Sequence, residues 1–344
     1  MTGLAIRAPV AWLGPSRLTE DVQVDCEGGR ITGVGRRHPL SDDSHLVETD
    51  GFLMPSAADR HVHIELADPA SVLLRGVTAV RDLAWPPGRI FPLADASEMT
   101  TFHGPLIRAV GPMLTGRDGY PTKDRWAPPG TGREVASQDD ARAAVRDLGS
   151  RGADAIKVSL NADAGATPGD AELTVICEAA HEAGLPVTAH AQGAGQVERA
   201  LGAGVDELAH TPWTHRLSDD VVAAVASRMR IVSTLDIQSF GRDTTEIRTA
   251  LDNLRRFHQA DGTVIYGTDL GNGPIPPGIH TRELMLLAEA GLEYEEILEC
   301  LIRAPIDAGA PADLIATAGN PLDELRAFDD LRLVVRAGRV VLHR

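Results

Sequence analysis

The sequence predicts an α/β chain: a (β/α)8 barrel of the TIM type with a small β-sandwich built from both ends of the chain. Three observations point there. Short apolar runs alternate with amphipathic helical stretches through the middle of the chain. Both ends carry hairpin-like β patterns instead. Side chains capable of chemistry recur at the C-terminal ends of the apolar runs, which is where barrels of this kind carry their sites. The 344 residues, 43% of them hydrophobic, suffice for one large barrel and a satellite sheet. Only 4% are aromatic, which favours closely packed small-residue helices over an aromatic-rich sandwich.

In chain order, Val22-Gln23-Val24-Asp25-Cys26 alternates apolar and polar residues, Gly28-Gly29 supplies a turn, and Arg30-Ile31-Thr32-Gly33-Val34 starts a second strand. At the other end, Asp313-Leu314-Ile315-Ala316 is short and apolar, and Leu331–Val335 and Arg339–Leu342 flank an Ala337-Gly338 turn. Residues 1–55 plus 310–344 are therefore expected to form the sandwich, and 56–309 the barrel. Between them, strand-like runs end at His63, Asp82, Leu114, Leu160, Ala191, Thr211, Leu235 and Asp269. The first of these is the run Phe52-Leu53-Met54 leading to His63. Helical spacing appears over Ala141–Leu148, Leu173–Ala183 and Thr245–His258, and Gly149, Gly152 and Gly184 stand where helices should stop. An open doubly wound sheet shares this repeat. No Gly-x-Gly-x-x-Gly follows the first strand, and Gly193-Ala194-Gly195 lacks the third glycine.

Composition excludes several classes. A net charge of −16 repels phosphate backbones, so no nucleic-acid partner is expected. No apolar run approaches the ~18 residues of a membrane span. The N-terminal stretch Met1–Arg7 has no basic region followed by a long apolar one, so no signal peptide is expected. Cys26, Cys177 and Cys300 are odd in number, far apart and without zinc-ribbon spacing, which fits buried thiols in a reducing cytoplasm.

The candidate chemistry starts at Asp59-Arg60-His61-Val62-His63. Side chains at i and i+2 on a strand share a face, so two imidazoles can converge on one ion. Lys157, His190, His210 and Asp269 follow at the ends of later runs, collecting four imidazoles, an amine and a carboxylate at one barrel mouth. A lone strand-end histidine is usually a hydrogen-bonded core residue, Lys157 could snorkel outward, and Asp269 could cap a helix. Six such accidents in one layer would leave buried polar groups unsatisfied at ~1–3 kcal/mol each. A divalent cation removes that cost. Imidazole and carboxylate suit Zn2+, with Mn2+, Co2+, Ni2+ or Fe2+ as alternatives.

These stretches, with Gly76–Asp82, Gly111–Thr115, Gly267-Thr268-Asp269 and Ala312–Ile315, resemble the amidohydrolase superfamily in family order nearly end to end. The branch resembled includes imidazolonepropionase-like enzymes and metal-dependent Xaa-Pro dipeptidases. The resemblance implies two metals. His61, His63 and Asp269 would hold one, His190 and His210 the other, and Lys157, carboxylated by CO2, would bridge them. A hydroxide between the metals would attack a substrate carbonyl, and Asp269 would shuttle its proton to the leaving nitrogen. Without carboxylation, one metal at His61, His63, His190 and Asp269 is the alternative, with His210 on the substrate. The chain departs from the pattern at Pro55–Asp59, where Ser56 replaces a glycine, and at Leu301–Pro305, which runs almost directly into Ala312-Asp313-Leu314. The barrel's closing end should be abbreviated there.

The expected activity is hydrolysis of a C–N bond in a small-molecule amide, cyclic amide or dipeptide. A lactone, carbamate or phosphotriester would suit the same site. A non-catalytic binding protein on this fold would be metal-free, and the six residue types are intact against that reading. The loop after strand three offers Arg117 and Tyr120 for a substrate carboxylate or oxyanion, and Trp213, His215 and His280 are further substrate-binding candidates. The sequence leaves a homo-oligomer open.

Overall fold

The computed structural model describes residues 3–40 and 44–344. Met1 and Thr2, part of the stretch read above for a signal peptide, lie outside them, as do 41–43, within the expected sandwich. The architecture is mixed α/β with three sheets.

One sheet draws eight strands from both ends of the chain. Its order runs Arg339–His343, Leu331–Arg336, Leu314–Thr317, Phe52–Pro55, Leu4–Trp12, Leu18–Glu27 and Arg30–Arg36, with His45–Glu48 also paired to Leu4–Trp12. Phe52-Leu53-Met54 belongs here. It pairs antiparallel with Leu314–Thr317, so it is not the strand that ends in the histidine pair, and that expectation is corrected. The chain leaves this sheet at Pro55, which cannot donate a ladder hydrogen bond, and starts a new strand, Ala57–Val62, in another sheet.

The middle of the chain forms two all-parallel sheets interleaved with helices. Three strands, Ala57–Val62, Val77–Asp82 and Leu106–Ala109, make the first. The second holds Gly132–Glu134, Met113–Thr115, Ile156–Asn161, Val187–Gln192, Glu207–Leu208, Arg230–Val232 and Thr263–Ile265. The run expected as one strand ending at Leu114 is split. Leu106–Ala109 pairs with Val77–Asp82, whereas Met113–Thr115 pairs with Gly132–Glu134 and Ile156–Asn161. Gly111, at φ +77°, and Pro112, which has no N–H, break the ladder between the halves.

Backbone hydrogen bonds connect the two parallel sheets at both margins. Asp154 N donates to Ala109 O at 2.9 Å. At the other margin Arg60 N donates to Tyr266 O (3.0 Å), Asp269 N to His61 O (2.8 Å) and His63 N to Leu270 O (2.7 Å). Gly267 makes that approach possible: a Cβ there would lie 2.3 Å from Val232 and 3.1 Å from His61.

The helices form where periodicity predicts them: Gln138–Ser150, Asp170–Glu182 and Thr245–Gln259. Ser137 and Thr244 cap the first and third, accepting from Asp140 N and Ile247 N. Their apolar faces, including Ala144, Val145, Leu148, Ile176, Ala180, Leu251 and Leu254, pack into the main core with the strand residues. Gly149 falls inside the first helix, while Gly152 and Gly184 follow the helices at positive φ. Cys26, Cys177 and Cys300 are buried free thiols. Among the described residues, no helix is long and apolar enough to cross a membrane.

Candidate metal centre

His61 is the fifth residue of Ala57–Val62, and His63 follows that strand directly. Asp269 lies past Thr263–Ile265, at φ +59°. A non-glycine residue tolerates that conformation best when it is Asn or Asp. The ligand atoms of His61, His63 and Asp269 all lie within 4.8 Å of one another, and all three residues are buried. Asp269 Oδ1 is 3.4 Å from His61 Nε2 and 3.3 Å from His63 Nε2.

The backbone fixes how these rings are protonated. His61 Nδ1 donates to Ala209 O (2.7 Å) and His63 Nδ1 to Ala84 O (3.1 Å), because a carbonyl can only accept. Each neutral ring therefore turns an Nε2 lone pair toward the same carboxylate oxygen. A proton on His63 would satisfy one contact. Burial pushes its pKa down, but the hydrogen bond and charge of Asp269 outweigh that and raise it. His61 accepts no proton near neutrality: burial, then the Lys157 charge, hold it well below its ordinary value. A cation answers both contacts. The two His–Asp edges, 3.3 and 3.4 Å, match those of a tetrahedron with ~2.0–2.1 Å zinc–ligand bonds.

The second group lies beside the first. The rings of His61 and His210 are 4.5 Å apart, and those of His190 and His210 4.8 Å. His190 Nδ1 faces His210 Nε2 at 3.1 Å. His210 Nδ1 bonds Thr234 Oγ1 at 2.9 Å, and His190 Nε2 bonds Gln192 Oε1 at 3.1 Å. Asn161 Nδ2 also lies 3.3 Å from His190 Nε2; with the outer nitrogens protonated toward Gln192 and Thr234, two more lone pairs converge. Burial and then Lys157 lower His190 to about 4. Burial, His190 and Lys157 hold His210 well below its ordinary value. Both are neutral at pH 7, the state a metal ligand requires.

Lys157 does not end its strand, contrary to expectation. It is the second residue of Ile156–Asn161, pairs with Thr188, and lies two residues before Ser159, the partner of His190. Its long side chain shares a face with Ser159 but starts a layer lower. Nζ is fully buried with no hydrogen-bond partner among the described residues, and burial lowers its pKa to about 7. Ser159 Oγ, Thr188 Oγ1 and Thr115 Oγ1 are likewise buried and unpartnered. A neutral amine is what carboxylation by CO2 consumes, and four orphaned polar groups fit a polar occupant here.

Three carboxylates hold the frame. Asp59 accepts from His61 N (3.0 Å), Thr268 N (3.1 Å) and Thr268 Oγ1 (2.5 Å), tying the histidine strand to the loop of Asp269. Asp82 accepts from Ile64 N (2.8 Å) and Ala84 N (3.2 Å), orienting the carbonyl that locks His63. Glu283, fully buried, accepts from Leu235 N and Asp236 N and so fixes the segment after Thr234, itself at φ +38°.

Aromatic rings line the same imidazoles. Tyr120 lies 5.1 Å from His190, Trp126 4.6 Å from His63, and Trp213 5.7 and 5.3 Å from His190 and His210. The loop candidates thus separate. Tyr120 and Trp213 come to the site. Arg117 is exposed, and half-buried His215 bonds Thr214 through its ring. His280 Nε2 is committed to Asp236 at 2.7 Å, which Ser239 and Arg282 also hold. Trp126, Thr234, Gln192 and Asn161 were not singled out in the sequence. Trp126 lies in the same loop as Arg117 and Tyr120, and Thr234 borders an expected strand end, which are the signals available for them.

No family model matches the chain, and no curated protein matches it in sequence. Solved structures do match. A Xaa-Pro dipeptidase with bound methionine aligns at TM-score 0.82 and 20% identity, over 98% of this chain and 99% of that one. The chain shares the fold of that dipeptidase structure. An amidohydrolase structure aligns at TM-score 0.82 and 22% identity over 100% of both chains. Phenylurea hydrolase B aligns at 0.82 and 18%, over 98% and 96%.

Proposed function

We propose that this chain is a metal-dependent hydrolase of C–N bonds, acting on a small amide, cyclic amide or dipeptide. The observation that carries this reading is the convergence of four imidazole lone pairs, one carboxylate and one unpartnered buried amine in one buried cluster. The names of the aligned structures, a dipeptidase, an amidohydrolase and a phenylurea hydrolase, support it. In this reading the two parallel sheets, residues 56–309, act as one eight-fold barrel. Residues 1–55 and 310–344 form a separate sheet domain.

His61, His63 and Asp269 would hold one divalent cation, and His190 and His210 a second, with carboxylated Lys157 between them. Zinc suits the nitrogen-rich set, and the cations would supply Lewis acidity and a water acidified toward pH 7. The protein's own groups do the rest. Asp269 Oδ1 faces both imidazoles and accepts from Asn272 Nδ2 at 2.8 Å, which leaves Oδ2 to take a proton and pass it to the leaving nitrogen. Burial raises the Tyr120 pKa, so its hydroxyl stays protonated and can donate to a developing oxyanion. Tyr120, Trp126 and Trp213 would hold a flat apolar group of the substrate against the imidazoles.

The test is turnover by zinc-loaded protein on a panel of N-aryl amides, Xaa-Pro dipeptides and aryl lactones. Amide or dipeptide cleavage that stops on chelation is the expected result. Turnover of lactones alone, or of nothing by fully loaded protein, would overturn the reading.

A further inference from the structure

The opposite end of the parallel strands holds a cavity of about 300 Å³. Its floor lies where the strands begin: Pro186 directly precedes a strand, Asp154 lies two residues before one, and Arg230 opens one. Arg60, Arg81, Arg108, Arg230 and Arg303 line it. Arg108 and Arg303 also line a neighbouring cavity of about 340 Å³ together with Arg30 and Arg336. This clustering occurs in a chain with a net charge of −16.

Arg108 is paired with Glu98, on the neighbouring cavity, at 2.5 Å, but the two carboxylates on the lining itself, Asp59 and Asp154, are outnumbered by its five guanidinium groups. Asp59 is committed to His61 and Thr268, as described above, and Asp154 is exposed. Behind the wall, buried Glu207 is shared between Arg81 and Arg230, and its Oε2 makes no hydrogen bond. Arg60 donates to two backbone carbonyls, Ala58 O (2.7 Å) and Ile302 O (2.9 Å), which fix the guanidinium without neutralising it. Burial and the charge of Arg81 lower Arg60 to about 10, so it remains charged at pH 7. Guanidinium groups assembled around a void at mutual electrostatic cost match the planar, bidentate recognition of oxyanions.

We propose that this cavity binds a small multivalent oxyanion of the phosphate type, at a site separate from the metal centre. Bound there, the anion would meet Arg303 and Arg108 at the rim and Arg60 within, beside Arg81 and Arg230, which share Glu207. Its stabilisation would add to folding by mass action.

The probe is inorganic phosphate, with sulfate as a second anion. Both are titrated against sodium chloride of equal ionic strength, with thermal unfolding and equilibrium dialysis as readouts. The proteins compared are the wild type and R108Q/R303Q, whose substituted side chains lie at the accessible rim. The expected result is a saturable rise in wild-type Tm with one anion per chain. In R108Q/R303Q the affinity should fall roughly tenfold or more, since each charged pair removed is worth about that much. If the double variant does not fold, R303Q alone should show a smaller fall. No rise beyond the chloride control would overturn the proposal. So would equal binding by the variants, which is also the result if phosphate sits on the metal centre instead.

Discussion

Replacing Lys157 by methionine separates the cost of the buried amine from its use. The side chains are similar in length, and the variant removes only the charge and the donor. In metal-free protein Nζ has no partner, and burial lowers its pKa from 10.5 to about 7. Below pH 7 both folded and unfolded chains carry the proton, and the whole penalty is present, on the order of 5 kcal/mol at ~1.36 kcal/mol per pH unit. Between pH 7 and 10.5 the unfolded chain binds a proton that the folded chain lacks, so stability recovers as pH rises; above 10.5 the contribution vanishes. Chelator-treated K157M in CO2-depleted buffer should therefore be more stable than wild type by about 4 kcal/mol at pH 7 and by only about 1 kcal/mol at pH 10. At this chain length that is ~5 °C in Tm at pH 7, falling to ~1 °C. Loaded K157M should hold fewer cations and lose activity. Thermal unfolding across pH 6–10, with metal analysis of the loaded proteins, checks both halves. The reasoning fails if K157M is no more stable than wild type at pH 7, or if its full metal complement survives.

Three further outcomes follow from the same geometry. D269N should lower kcat by roughly 10²–10⁴-fold, the range for a lost proton carrier, read on any substrate the panel yields. D59A leaves His61 N, Thr268 N and Thr268 Oγ1 without their acceptor; cation affinity, measured by competition with a chromophoric chelator, should weaken about 10–100-fold, as for groups that orient ligands. W213A should raise KM for substrates with an aromatic group by about tenfold, consistent with ~0.5–1.5 kcal/mol per aromatic contact beyond area burial, and should leave small aliphatic amides unchanged.

The sequence carried much of this because the site's residue types are rare at strand ends and the strands are short. His61, His63, His190, His210 and Asp269 could be selected from their position after apolar runs, and the structure places them in one buried layer. The strand boundaries were less legible. Phe52-Leu53-Met54 and Ala57–Val62 are separated only by Pro55 and Ser56, and the pairing partners, Leu314–Thr317 for one and Val77–Asp82 for the other, reveal two strands. The break at Gly111-Pro112 has a local signal. Lys157 was misplaced within its strand because period-2 alternation gives the face of a side chain but not its depth. The loop residues were least legible: exposure separates Arg117 from Tyr120, and no pattern in the sequence records that His280 pairs with Asp236 across 44 residues.

The account stands most directly on metal content. Protein loaded with zinc and freed of excess should carry two ions per chain by elemental analysis, and H61A/H63A should lose one of them while remaining folded. A chain that retains no divalent cation under any loading condition, or binds the same number after both histidines are removed, would contradict it.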